Sequence, residues 1–153
     1  MHIAEFLDKT AVTADLKATN KPGVLRELVG LALKARPDLD PNVLVDTLIA
    51  REKLQSTGIG DGYAIPHGKT NAVPTIIACV GRSAPGVDFQ SHDGKPTHLF
   101  FTLLVPESSH ALHLKALARV SRLIRETRIR ESLLTAKTSA ELYDIIVTED
   151  ARL

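Results

Sequence analysis

His67 lies in the run T-G-I-G-D-G-Y-A-I-P-H-G-K (57–69), where neighbouring residue types favour a nucleophile. Gly58, Gly60 and Gly62 let the backbone approach a ligand closely and aim N–H groups at an anion. Pro66 stiffens the chain before the histidine, and Gly68 removes a side chain after it. The imidazole is therefore presented from a fixed backbone with open space beside it. That suits a group which must meet a large partner. On residue types alone, a tight loop whose histidine only hydrogen-bonds locally fits somewhat better.

Other residues could serve the same chemistry. His113, in A-L-H-L-K-A-L, falls in the first turns of a helix starting near Ser109. A helix N-terminus carries partial positive charge and unpaired N–H groups, so it favours a phosphate. A helix-surface histidine is the plainer alternative. Arg51 stands near the end of another helix, just before the glycine segment. A guanidinium matches phosphate oxygens bidentately, although a helix-end cation also favours the dipole without any ligand. Ser56 and Thr57 could offer hydroxyls to the same oxygens, or could simply hold the turn.

Several familiar sites are excluded. The glycines alternate, so they do not form the dinucleotide fingerprint G-x-G-x-x-G. Gly68-Lys69-Thr70 has the end of a phosphate-binding Walker loop, but Tyr63 occupies the position of its first glycine. No nucleotide site is expected. His110 and His113 form H-x-x-H, which can set two nitrogens on one helical face. A metal would need further ligands, and neither H-E-x-x-H nor a cysteine cluster exists. His2, His92 and His98 read as structural or exposed.

The elements that must position these groups follow from periodicity. Residues 3–7 read as a short helical turn and 10–16 as a first strand. Asn20 caps a helix opening at Lys21-Pro22, with Val24, Leu25, Leu28, Leu31 and Ala32 on one face. Asp40-Pro41 starts a second helix, with Leu44 and Leu48 inward, ending at about residue 51 or 53. The glycine-rich stretch 55–71 cannot be a regular helix or an ordinary strand. Residues 75–82 and 97–106 are apolar, β-branched or aromatic runs that read as buried central strands. A short edge strand and a turn are expected near 86–95. From Ser109 a helix carries Leu114, Leu117, Val120 and Ile124 as a stripe. A short helix covers 128–135, and Thr138 with Glu141 forms a capping box for the last one. This mixture predicts an α/β fold, a three-layer α/β/α sandwich with a small mixed central sheet.

Composition bounds the rest. The chain of 153 residues is 44% hydrophobic, enough for a real core, and only 4% aromatic, so that core is aliphatic. Residues 1–153 read as a single domain. Net charge is +1 with basic residues interleaved among acidic ones, which argues against a nucleic-acid binder. Cys79, the single cysteine, lies in the apolar run I-I-A-C-V-G and reads as a small core residue. The opening M-H-I-A-E-F-L-D-K predicts no secretory signal. No apolar stretch approaches the roughly 20 residues of a membrane helix. A cytoplasmic protein without membrane insertion is expected.

Taken together, R-E-K-L-Q-S-T-G-I-G-D-G-Y-A-I-P-H-G-K (51–69), L-F-F-T-L-L-V-P (99–106), H-L-K-A-L-A (113–118) and E-L-Y-D-I-I (141–146) resemble a family. It is the IIA domain of the bacterial phosphoenolpyruvate-dependent phosphotransferase system, fructose/mannitol class, nearest in look to its nitrogen-regulatory type. The resemblance implies that His67 is the phosphorylated histidine and His113 the second active-site histidine. It places Arg51 near the phosphoryl group and Ser56 and Thr57 in the same motif. Gln55 stands where the family often has glycine, and His110 matches no essential position. A histidine phosphocarrier protein is the implied donor, and a IIB domain or a regulatory target the implied partner. Neither metal nor nucleotide cofactor is required. Lack of a membrane segment and of a fused IIB domain favours the regulatory use over sugar uptake. A small metal-dependent hydrolase is the competing class, weakened by the missing ligand set.

Overall fold

The computed structural model describes all residues, Met1–Leu153. A 3₁₀ turn, Ile3–Glu5, leads into β1 (Leu7–Thr13). Then follow α1 (Lys21–Ala35), α2 (Pro41–Leu54), β2 (Gly58–Gly60), β3 (Tyr63–Ala64), β4 (His67–Lys69), β5 (Ile77–Val87) and β6 (Thr97–Val105). Three helices close the chain: α3 (His110–Arg125), α4 (Thr127–Thr135) and α5 (Ser139–Ala151).

The caps obey their sequence signals. Asn20 accepts from Gly23 N, Asp40 from Asn42 N and Thr138 from Glu141 N, each satisfying an orphan donor of a helix start. The six strands make one mixed sheet in the order β1-β5-β6-β3-β2, with β4 also paired to β6. β5 and β6 run antiparallel, while β1 on β5 and both β3 and β4 on β6 are parallel. Alternation along β6 divides the core in two. Leu99, Phe101, Leu103 and Val105 face α3, α4 and α5, whereas Phe100 and Leu104 face α1 and α2. The three-layer sandwich expected from the sequence is therefore present. Cys79 is fully buried in the α1–α2 layer, where burial pushes its thiol up to about 12.

Four local expectations need correction. The first strand begins at Leu7, not residue 10, because parallel pairing with β5 sets its start: Leu7 pairs with Ala78 and Val12 with Val80. The stretch 55–71 does contain strands, but each is two or three residues long. Positive φ at Gly60, Asp61 and Gly62 turns the chain before a longer ladder can form. No separate edge strand forms near 86–89, because β5 continues to Val87 through an irregularity after Arg82. Finally, Leu114 is 54% exposed and lies outside the buried stripe of α3. That stripe is His113, Ala116, Val120, Leu123 and Ile124, so Val120 and Ile124 lie in it as expected and Leu117 packs partly buried against the same core.

Candidate functional site

The sheet and two helices converge on one open cleft of about 670 Å³. Thr47, Ala50, Arg51 and Leu54 line it from α2, His67, Gly68 and Lys69 from β4, and His113 from the first turn of α3. Sequence positions more than sixty residues apart thus meet because β4 pairs in parallel with β6, with His67 opposite Leu103. The chain then leaves β6 directly into α3. Gly68 is demanded by close approach: a Cβ there would come within 2.6 Å of Thr47 Cγ2. This seat holds β4 against α2 and sets His67 at the cleft.

His67 is half-buried, and its Nδ1 lies 2.8 Å from the Ile65 carbonyl oxygen. A carbonyl only accepts, so Nδ1 carries the hydrogen, and Nε2 of the neutral ring keeps its lone pair. Burial is the main influence that lowers the His67 pKa. The Ile65 carbonyl bond opposes this, the Arg51 charge adds to it, and Glu52 opposes it. The net result favours the unprotonated, nucleophilic ring.

His113 stands beside it, with ring centroids 5.3 Å apart and planes tilted by 48°. It is 8% exposed, and neither Nδ1 nor Nε2 has a hydrogen-bond partner. Buried polar atoms are normally paired, so this ring beside the cleft is an exception. Burial, followed by the charges of His67, Lys69, His110 and Arg51, lowers its pKa to about 4. The ring is neutral near pH 7.

Arg51 lines the cleft, but one of its nitrogens donates to the Gln55 carbonyl at 2.8 Å. It therefore caps its own helix end while its side chain borders the cleft. Ser56 and Thr57 do not line the cleft. The Ser56 hydroxyl donates to the Phe89 carbonyl and accepts from Gly58 N. Thr57 is buried, and its hydroxyl and N–H both donate to Glu52. Both hydroxyls hold the turn, which was the plainer of their two readings.

Two polar groups escaped notice in the sequence. Glu52 is a buried carboxylate that receives Thr57 on one oxygen and the Lys21 ammonium, at 2.8 Å, on the other. It ties α2, α1 and the glycine segment together, near enough for its charge to act on His67. The capped end of α2 next to a threonine was its available signal. Lys69 borders the cleft two residues after His67. Strand alternation across Gly68 would have found it, had this segment been read as a strand. His110 and His113 differ in setting: His110 is exposed and contacts Lys69, whereas His113 is buried. No group of three His, Cys, Asp or Glu side chains is gathered anywhere in the structure.

Residues 5–148 match the family model described as phosphoenolpyruvate-dependent sugar phosphotransferase system, EIIA 2. A nitrogen regulatory protein of Bradyrhizobium diazoefficiens is 35% identical over 151 residues, covering 99% of this chain and 98% of that one. The fructose-specific EIIABC component of Bacillus subtilis is 38% identical over 150 residues, covering 98% of this chain. This chain spans only 24% of the length of that relative. The crystal structure of nitrogen regulatory protein IIA-Ntr from Neisseria meningitidis superposes with a TM-score of 0.86 at 35% identity, covering 94% of this chain and 98% of that one. By family match, relatives and fold together, the chain belongs to the EIIA type 2 family of phosphoryl-transfer proteins of the phosphoenolpyruvate-dependent phosphotransferase system.

Proposed function

We propose that His67 accepts a phosphoryl group on Nε2 from a histidine phosphocarrier protein, and that the chain acts as a cytoplasmic nitrogen-type regulatory IIA protein. The observation that carries this reading is the histidine pair. Nδ1 of His67 is occupied by the Ile65 carbonyl, which leaves Nε2 as nucleophile beside a buried His113 whose nitrogens lack partners. In the transfer, the donor's N–P bond breaks as the Nε2–P bond forms, and the donor nitrogen keeps the electron pair. Positioning and charge stabilisation do most of the catalytic work in such an in-line step. His113 donates a hydrogen bond to a phosphoryl oxygen, and Arg51 supplies positive charge. Ser56 and Thr57 act through the shape of the turn.

Incubation with phosphoenolpyruvate, the general phosphotransfer enzyme and a phosphocarrier tests the reading. One acid-labile phosphate is expected on the wild type and none on His67→Ala. Persistent labelling of the variant would overturn the assignment.

A second reading is supported by the Bacillus subtilis relative, a fructose-specific EIIABC component of comparable identity. In that reading the phosphate passes to a separate IIB domain for fructose- or mannitol-type uptake. No helix here is long and apolar enough to cross a membrane, so any membrane step would fall to another segment or chain. Rapid discharge of the phosphoprotein by a fructose-class IIB domain would favour transport. Slow discharge, with partner binding that depends on phosphorylation, would favour regulation.

A further inference from the structure

Lys69 and His110 meet beside the histidine pair, and the chemistry above gives neither a role. Lys69 Nζ lies 2.8 Å from His110 Nδ1. An ammonium only donates, so Nδ1 of His110 accepts through its lone pair. His67 and Lys69 are separated along β4 by Gly68 alone, so both leave the same face of the strand, and both line the cleft. The tight seat of Gly68 on Thr47 fixes that face against α2. His110 and His113 lie on the first turn of α3, so one helical turn supplies both the partner of Lys69 and the ring beside His67.

Charge balance shows what this arrangement is for. A phosphoryl group near neutral pH carries nearly two negative charges. Among the side chains lining the cleft, only Arg51 and Lys69 are permanently cationic. Arg51 already spends part of its fork on the Gln55 carbonyl. His113 is neutral near pH 7, with its pKa lowered to about 4. The second positive charge must come from Lys69.

We propose that Lys69 is a catalytic residue that contacts the phosphoryl oxygens on His67, and that His110 is a positioning residue that holds its ammonium at the cleft. The inference rests on phosphorylation at His67. Lys69 neither gains nor loses a proton in the step. The N–P bond of the donor is exchanged for the Nε2–P bond while the ammonium neutralises charge on the oxygens that stay with phosphorus.

Two measurements test it. In single-turnover phosphorylation by the phosphocarrier, Lys69→Met should be slower by about tenfold or more, the effect of losing a charge-assisted hydrogen bond. In the purified phosphoprotein, with no partner present, a ³¹P NMR titration should show the phosphoryl pKa raised in Lys69→Met, because a nearby cation favours the dianion. A slower rate with an unshifted titration would make Lys69 a docking residue and overturn the proposal, and so would an unchanged rate. His110→Asn keeps an acceptor near the Nδ1 position and should transfer close to wild type. His110→Leu should fall toward Lys69→Met, and equal rates in the two His110 variants would overturn the positioning role. A wild type that takes no phosphate at all would instead defeat the His67 reading, and this inference with it.

Discussion

Asp150 and His113 are both buried polar residues, at 1% and 8% exposure, but their surroundings are opposite. Both carboxylate oxygens of Asp150 are committed: Oδ1 accepts from Arg119 Nε at 2.5 Å and Oδ2 from Ile3 N at 2.7 Å. Arg119 also reaches the Asp150 carbonyl at 2.7 Å. This network ties the start of the chain to α3 and α5. Neither ring nitrogen of His113 is committed to anything. Glu52 lies between the two cases: it is buried and fully partnered like Asp150, but it is bonded through Thr57 to the segment that carries His67. Burying an unpaired polar group costs stability, whereas burying a paired one need not. The polar network around Asp150 is closed, whereas at His113, beside the cleft, it is left open.

Substitutions should separate the two regions. Asp150→Ala strands Arg119 and frees the Ile3 N–H, and should cost about 3 kcal/mol in denaturant unfolding. The folded fraction should still accept phosphate at the wild-type rate. His113→Leu should do the reverse, slowing single-turnover transfer by about a hundredfold, as loss of a transition-state donor does. Stability should rise by about 1 kcal/mol, because two unsatisfied nitrogens leave the interior. Stability lost in His113→Leu together with unchanged transfer would erase the distinction. Glu52→Gln keeps the shape of the strut but removes its charge. It should cost about 1–2 kcal/mol and slow transfer less than His113→Leu, since Glu52 acts through the turn it holds and a minor effect of its charge on His67.

A pH dependence should accompany these changes. The folded pKa of His113, about 4, lies below the ordinary histidine value of 6.5. Between these values the unfolded chain binds more protons, so stability falls as pH drops from 6.5 toward 4. His67 is shifted in the same direction. Unfolding curves at pH 7 and pH 5 should differ less for His113→Leu than for the wild type. An equal difference would mean that His113 is not held neutral by the fold.

Much of this arrangement was legible in the residues. The layers follow from β6, whose alternating Leu99, Phe101 and Leu103 against Phe100 and Leu104 can serve only a sheet covered on both faces. Helix starts were legible at Asn20, Asp40 and Thr138, because capping is local chemistry. The residue types singled out His67, His113 and Arg51, which do meet at one cleft, but for each they favoured the plainer local role, and only the family resemblance joined the three in one chemistry. What escaped was set by distant partners. The start of β1 depends on its pairing with β5. The three short strands of the glycine segment exist because β6 and each other offer them ladders. In α3 Val120 and Ile124 were rightly read as inward, but Leu114 was counted with them in place of His113. The hydroxyls of Ser56 and Thr57 could not be assigned without seeing that Phe89 and Glu52 lie within reach.

The account turns on which atom of which residue takes the phosphate. ¹⁵N and ³¹P NMR of the protein phosphorylated through the phosphocarrier reads this directly. Phosphorus coupled to Nε2 of His67, with Nδ1 still protonated against the Ile65 carbonyl, is the predicted result. Phosphorus on Nδ1 of His67, or on another histidine, would contradict it.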